Sequence, residues 1–214
     1  MDRHEVQRTA RVSVTEDLIH QTDATNVLEI GAGDYSFEYI KKGLVQTWVK
    51  VDFAPPCDFI CNLNAPELKL PFSECTFNLI VCTEVIEHLL WPQQLLKEMH
   101  RILTLDGNII VSVPNIASLS YRIAWLLGRI PSCAASGNLP PELGLTAYNR
   151  SDGSMIGGHV IDFDLNRLQG LLNLTGFKTV TTRGSGIIWH RQILSHWLVP
   201  PFLASNIICL ANKM

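Results

Sequence analysis

The sequence predicts an α/β fold, an open and mostly parallel sheet with helices on both faces. Three observations carry that expectation. Strand-like and helix-like stretches alternate along most of the chain. The first strand, "NVLEI", runs directly into a glycine bend at Gly31 and Gly33, and "TFNLIVC" is the continuous apolar run that a strand buried on both faces requires. Right-handed crossovers in such a sheet bring the C-terminal ends of the strands to one edge, where ligands bind.

The elements follow in order. After the glycines, "YSFEYIKKG" reads as a short helix closed by Gly43. "TWVKVDF" alternates apolar and polar residues and ends at Asp52, and "DFICNL" is a short third strand. The loop "NAPELKLPFSEC" leads into the fourth strand, "TFNLIVC". Pro92 cannot sit inside a helix, so Glu84–His88 reads as a turn and a new helix starts near Pro92, burying Leu95, Leu96, Met99, Ile102 and Leu103. "TLDG" turns the chain into "NIIVSVPN", a fifth strand ending at Pro114, with a helix "IASLSYRIAWLLGR" after it. "DFDLNRLQGLLNLTGF" is a helix with Asp162 or Asp164 as its cap, and "KTVTTRG" and "NIICLANK" are the last strands.

A chain of 214 residues fits a single domain over 1–214. Residues 131–158, rich in Gly, Pro, Ser and Asn and without a period, read as a lid or substrate loop inserted before the C-terminal part. Hydrophobic residues make up 47% and charged residues 17%, the balance of a compact globular protein. The net charge of −3 argues against a nucleic-acid partner, which needs a basic surface. None of the six cysteines forms a C-x-x-C pair, so they read as reduced thiols and the expected location is the cytoplasm; Cys57 and Cys61 with nearby histidines could bind zinc, but their spacing is loose. The N-terminus has no apolar signal-peptide core, and no apolar run reaches the roughly 18 residues of a membrane span. "IASLSYRIAWLLGRI" and the segment from Ile187 to Ala211 come closest, and read either as core or as an apolar mouth or peripheral membrane contact.

Gly31 and Gly33 let backbone approach a ligand closely, and Asp52 ends the second strand 21 residues after Gly31. At that offset a carboxylate can take ribose hydroxyls, so the two features suggest an adenosine site. A dinucleotide fingerprint would place a third glycine where Ser36 stands.

"VLEIGAGDYSF", "VKVDF", "FNLIVCTEVIEHL", "LLKEMHRIL" and "IIVSVPN" resemble, in this order, the motifs of class I S-adenosylmethionine-dependent methyltransferases. The likeness covers roughly Asn26 to Asn115, with a weaker echo further on. It implies a Rossmann-like, seven-stranded sheet with an antiparallel last strand and S-adenosyl-L-methionine as cofactor. By resemblance, Glu29, Gly31 and Gly33 surround its methionine part, and Asp52 holds the ribose with Phe53 beside the adenine. Asn62 and Leu63 meet the adenine edge, while Cys82, Thr83 and Glu84 line the floor near the sulfonium. Tyr35 replaces a common glycine, Asn62 and Asn78 replace commoner acids, and Leu105–Asp106–Gly107 replaces a Pro-Gly-Gly turn.

For the chemistry, Glu84, Glu87 and His88 are spaced i, i+3, i+4, which a helical turn would gather on one side, and His159 could join them across the lid. They could form a capping turn, supply a general base through His88 or His159, or bind a divalent ion as E-x-x-E-H sets do in some related O-methyltransferases. The sequence alone assigns the catalytic role to His88 and His159 and assigns no metal. Trp125, Tyr148 and Trp189 could line an acceptor pocket or pack in the core. The expected activity is O-methylation of a small-molecule, sugar or lipid-linked acceptor. The alternatives are an NAD(P)-dependent oxidoreductase and a catalytically silent methyltransferase-like subunit. The oligomeric state is not legible.

Overall fold

The computed structural model describes residues 3–33, 35–41, 43–131, 134, 148–149, 155–156, 158–189, 192–194 and 199–214. Most of the expected 131–158 loop, with Cys133, therefore lies outside the described residues.

Seven strands form one sheet: β1 (Asn26–Ile30), β2 (Thr47–Asp52), β3 (Phe59–Ile60), β4 (Phe77–Thr83), β5 (Leu103–Pro114), β6 (Phe177–Gly184) and β7 (Asn206–Lys213). Their order is β3-β2-β1-β4-β5-β7-β6, and β7 alone runs antiparallel to its neighbours. The order reverses between β1 and β4, which places the glycine bend, Asp52 and the residues after β4 on one crevice. The fold is the one expected from the sequence.

Alternating residues of each central strand serve two apolar layers, as a period of two demands. Leu28 and Ile30 of β1 with Ile80 and Cys82 of β4 join one core, into which α2 (Pro92–Ile102) and α4 (Leu165–Leu174) bury Leu95, Met99, Leu168 and Leu172. Val27, Leu79 and Val81 face the other core, closed by Val14, Leu18 and Ile19 of α1 (Arg3–His20). Asp164 caps α4, its Oδ1 accepting from the Arg167 N–H at 2.8 Å.

Several elements differ from expectation. The N-terminal helix α1 was not anticipated, although Ala10, Val14 and Leu18 recur every four residues and are buried. The helix expected after the glycines is only a 3₁₀ turn, Glu38–Lys41, and "DFICNL" contributes two strand residues. "TLDG" does not turn the chain. It lies inside β5, where pairing slips from Phe77 opposite Leu103 to Leu79 opposite Asn108, so an irregularity absorbs the extra residues. Leu103 accordingly opens β5 and α2 ends before it.

The helix after β5 is shorter than expected, α3 (Leu119–Leu126), because Asn115 Oδ1 first takes the Ala117 N–H in a local turn. Trp125, at its exposed end, is not core. Among the described residues no helix is long and apolar enough to cross a membrane.

Candidate active site

The glycine bend and Asp52 are directly joined. Gly31 and Gly33 both have positive φ, +75° and +55°. The Gly31 N–H donates to Val51 O at 2.9 Å, continuing the β1–β2 ladder into the bend. The Gly33 N–H then donates to Asp52 Oδ2 at 2.9 Å, and Asp52 Oδ1 accepts the Phe53 N–H at 2.6 Å. Asp52 is thus buried with its carboxylate fixed in orientation. A methyl group at Gly33 would meet nothing within 4 Å among the described residues, so the crevice is open there. One at Gly31 would lie 2.2 Å from Val85 Cγ2, so that glycine packs against the residues after β4.

Glu29 contributes by bracing the bend. Its carboxylate accepts from Ser36 Oγ at 2.5 Å, from the Phe37 N–H at 3.1 Å and from Trp48 Nε1 at 2.8 Å. Burial raises its pKa, against the downward pull of those three donors and the Lys50 charge. Ser36, where a dinucleotide fingerprint would need glycine, thus carries a side chain that the loop uses.

On the adenine side, Phe53 is half exposed and Asn62 is exposed. Asn62 Oδ1 accepts the Asn64 N–H at 3.0 Å, an Asx turn that shapes the loop following β3. Leu63 is buried in the main core, so its backbone rather than its side chain is what it can offer a ligand. Cys82 is likewise core, and burial pushes its thiol pKa strongly up. Cys57 and Cys61 belong to no group of three or more metal-binding side chains among the described residues. Asn78 Oδ1 accepts the N–H groups of Thr25 and Asn26, tying β4 to the start of β1 away from the crevice.

Past β4 the chain makes a left-handed step at Glu84, with φ +55°. The step turns the Glu84 side chain away from the next two polar residues. Its Oε1 accepts from Ser112 Oγ at 2.8 Å, its Oε2 from Asn206 Nδ2 at 2.9 Å, and Oε2 also lies 3.1 Å from Arg11 Nη1. Glu84 is therefore gripped by β5, β7 and α1 together.

Glu87 and His88 sit in a 3₁₀ turn, Ile86–His88, and it is this pair that meets His159. The Glu87 carbonyl accepts the N–H groups of Val160 at 2.8 Å and Ile161 at 3.1 Å, which docks the segment carrying His159 onto the turn. The imidazoles of His88 and His159 stand edge to face with centroids 4.9 Å apart. One ligand atom each from Glu87, His88 and His159 fall within 4.8 Å of one another. Expected to share a face with these groups, Glu84 does not join them.

Glu87 is almost wholly buried, and among the described residues neither carboxylate oxygen has a hydrogen-bond partner; His88 Nε2 approaches Oε1 at 3.8 Å. Burial, and after it the Glu84 charge, push the Glu87 carboxyl well above the usual carboxylate range. A small crevice beside it is lined by Glu87, Pro114, Ile116, His159 and Phe163.

The residues at the bend fit an adenosine-bearing cofactor: open space over Gly33, an oriented acid at the end of β2 and a half-exposed ring beside it. Residues 3–182 match the family described as a methyltransferase domain. The chain belongs to this methyltransferase family. Membership displaces the dehydrogenase reading.

Solved methyltransferases share the fold at low identity. A SAM-dependent methyltransferase from Thermotoga maritima aligns at 15% identity over 98% of this chain and 92% of its own, with a TM-score of 0.61. One from Aquifex aeolicus aligns at 12% over all of both chains, with a TM-score of 0.53. The Burkholderia thailandensis 1,6-didemethyltoxoflavin-N1-methyltransferase, seen with its substrate and S-adenosylhomocysteine, aligns at 17% over 98% of this chain and 78% of its own, with a TM-score of 0.54. No curated protein matches the chain significantly.

Reading the sequence missed three partners of the site. Arg11 lies on the unanticipated α1, while Ser112 and Asn206 lie inside strands whose register decides which side chains reach Glu84. The four-residue stripe of α1 was the available signal for the first. No local signal marks the other two.

Proposed function

We propose that this methyltransferase methylates an oxygen of a small-molecule, sugar or lipid-linked acceptor, with His88 or His159 removing the acceptor proton. The observation that supports the reading is the meeting of the two imidazoles over Glu87 at the strand ends. When bound, S-adenosylmethionine supplies a methyl group already activated by a positively charged sulfur. The chain's own residues have three tasks. Gly31, Gly33 and Asp52 bind and orient, with Phe53, Asn62, Leu63, Cys82, Thr83 and Glu84 completing the walls. The segment docked on the Glu87 carbonyl shields the crevice from water. The imidazole pair takes up a proton from the acceptor hydroxyl, a contribution of about 10²–10⁴ in rate.

Residues 131–158 lie between α3 and His159, so we assign them the acceptor-selecting role. A cytoplasmic setting is supported by the described cysteines, all free thiols. The exposed Trp125 and Leu126 leave a peripheral membrane contact within the same reading. A second reading has one observation in its favour: Glu87, whose carboxylate oxygens accept no hydrogen bond among the described residues, could with the two imidazoles hold a divalent ion that orients the acceptor oxygen. The deciding experiment transfers a deuterated methyl group to cell extract and locates the label by mass spectrometry. Label on an oxygen in the small-molecule or lipid fraction supports the proposal; label on protein, nucleic acid or nitrogen overturns it.

A further inference from the structure

We infer that the tip of α3 docks on an anionic phospholipid bilayer, its aliphatic side chains entering the acyl boundary and Arg122 and Arg129 meeting lipid phosphates. The inference rests on the lipid-linked branch of the reading above and deepens it by naming the surface and its partner. Leu126 is 85% exposed, Leu127 66% and Ile130 71%, with Trp125 half exposed beside them. A single exposed leucine needs no explanation, but this many large apolar side chains on one turn do.

The backbone of the tip is closed on itself. Gly128, at φ +67°, ends the helix in a Schellman turn: its N–H donates to Trp125 O at 3.0 Å and the Arg129 N–H to Ala124 O at 2.8 Å. The Leu127 N–H donates to Ile123 O at 3.1 Å, and Pro131, just beyond, has no N–H. A turn that enters lipid must satisfy its polar groups internally, and this one satisfies those three donors. In such a turn the residue after the glycine commonly folds an apolar side chain back onto the helix. Here that residue is the exposed Arg129, and Ile130 points outward after it.

Charge decides the partner. The Arg122 guanidinium lies 6.0 Å from the centre of the Phe202 ring, and half-exposed Phe202 extends the apolar surface beyond α3. From Gly107 to Pro141 the chain carries two arginines and no Asp or Glu, although its net charge is −3. Aliphatic side chains with a tryptophan and a basic rim are the chemistry of the membrane interface. A second copy of the chain fits less well, because two-fold pairing would set one basic rim against the other.

The base of α3 is fastened beside the crevice. The Ile116 N–H donates to Phe163 O at 2.9 Å, both residues line the crevice at Glu87, and Asn115 Nδ2 donates to Ala204 O at 2.8 Å. The eight residues of α3 span about 12 Å, so a bilayer at the tip brings lipid head groups close to that crevice.

Co-sedimentation of the full chain with vesicles of phosphatidylcholine, alone or mixed with phosphatidylglycerol, tests the inference. Wild type should bind the mixed vesicles more tightly, and added salt should shrink the difference. Leu126→Ser with Leu127→Ser should weaken binding to both vesicles about 10–100-fold, while leaving S-adenosylhomocysteine affinity unchanged. Arg129→Gln should cost about fivefold on the mixed vesicles only. Wild type that ignores the mixed vesicles overturns the inference, as does binding that survives the double serine variant. Self-association of wild type that the serine variant loses, without vesicle binding, gives the surface to a second copy and overturns it too. Methyl label in the lipid fraction without vesicle binding sinks this inference alone. Vesicle binding with label only on soluble acceptors sinks the lipid-linked branch and spares the docking surface.

Discussion

Asp52 and Gly33 are joined by a 2.9 Å hydrogen bond from the glycine N–H to the carboxylate, so the acid ending β2 and the bend following β1 form one unit. The carboxylate is held without side-chain entropy to lose on binding, and the bend is held in its open shape. We expect Asp52→Ala to weaken S-adenosylhomocysteine binding by about 10–100-fold, the loss of hydrogen bonds to a charged group worth about 1.5–3 kcal/mol. Asp52→Asn retains an oxygen for Gly33 and should lose less. Calorimetry on both variants checks this, and unchanged affinity in Asp52→Ala would remove the residue from the site.

The two glycines should fail in different ways. Gly31→Ala places a methyl 2.2 Å from Val85 Cγ2 at a φ of +75°, combining a clash with backbone strain. A destabilisation of about 2–5 kcal/mol follows from overpacking plus left-handed strain. Gly33→Ala has φ +55° and nothing within 4 Å among the described residues, so only the strain of about 1–2 kcal/mol applies to folding. Its methyl projects into the crevice, and cofactor binding should suffer more than stability. Thermal melts paired with S-adenosylhomocysteine titrations separate the two, and Val85→Ala should recover part of the Gly31→Ala loss.

The outline of this site was legible because it depends on strand ends, and strand ends follow from composition. Apolar runs, a glycine pair and an acid at the right offset located Gly31, Gly33 and Asp52 without tertiary information. Glu84 was misplaced because i, i+3, i+4 spacing gathers side chains only on continuous helix, and a single left-handed residue breaks that relation. The turn at "TLDG" failed for a related reason: pairing with β4 extended the strand through residues whose local preference is to bend. Arg11, Ser112 and Asn206 converge from positions 11, 112 and 206, and only strand register and helix packing bring them together.

Glu87 gives the site a pH signature. Its pKa is raised above the ordinary 4.5 by burial and then by Glu84. Between the unfolded and native values the folded protein binds the extra proton, so stability falls as pH rises through that window. The penalty is complete once Glu87 ionises in the native state. Glu87→Gln keeps the shape and cannot ionise. It should be more stable than wild type above the window and flatten the dependence of Tm on pH, by about 2–4 °C for each kcal/mol recovered. A variant with an unchanged Tm–pH curve would show that Glu87 is not strained in this way.

His88 and His159 separate the two chemical readings. If one imidazole is the base, replacing it by Ala should lower methyl transfer by about 10²–10⁴ and abolish the acid limb of the rate–pH profile. The other His→Ala variant should keep that limb, and S-adenosylhomocysteine affinity should be unchanged in both, since neither imidazole touches the Gly33–Asp52 unit. If the cluster instead holds a divalent ion, chelation with EDTA should stop transfer and Mg²⁺ or Mn²⁺ should restore it. His88→Ala, His159→Ala and Glu87→Gln would then all weaken ion binding together, because each supplies one ligand atom within the same 4.8 Å. Transfer that persists in chelator, with one histidine variant silent and the other active, leaves the proton-transfer reading standing. Full activity in both variants would remove the pair from the chemistry and leave the Glu87 turn as the support on which the acceptor side of the crevice is built.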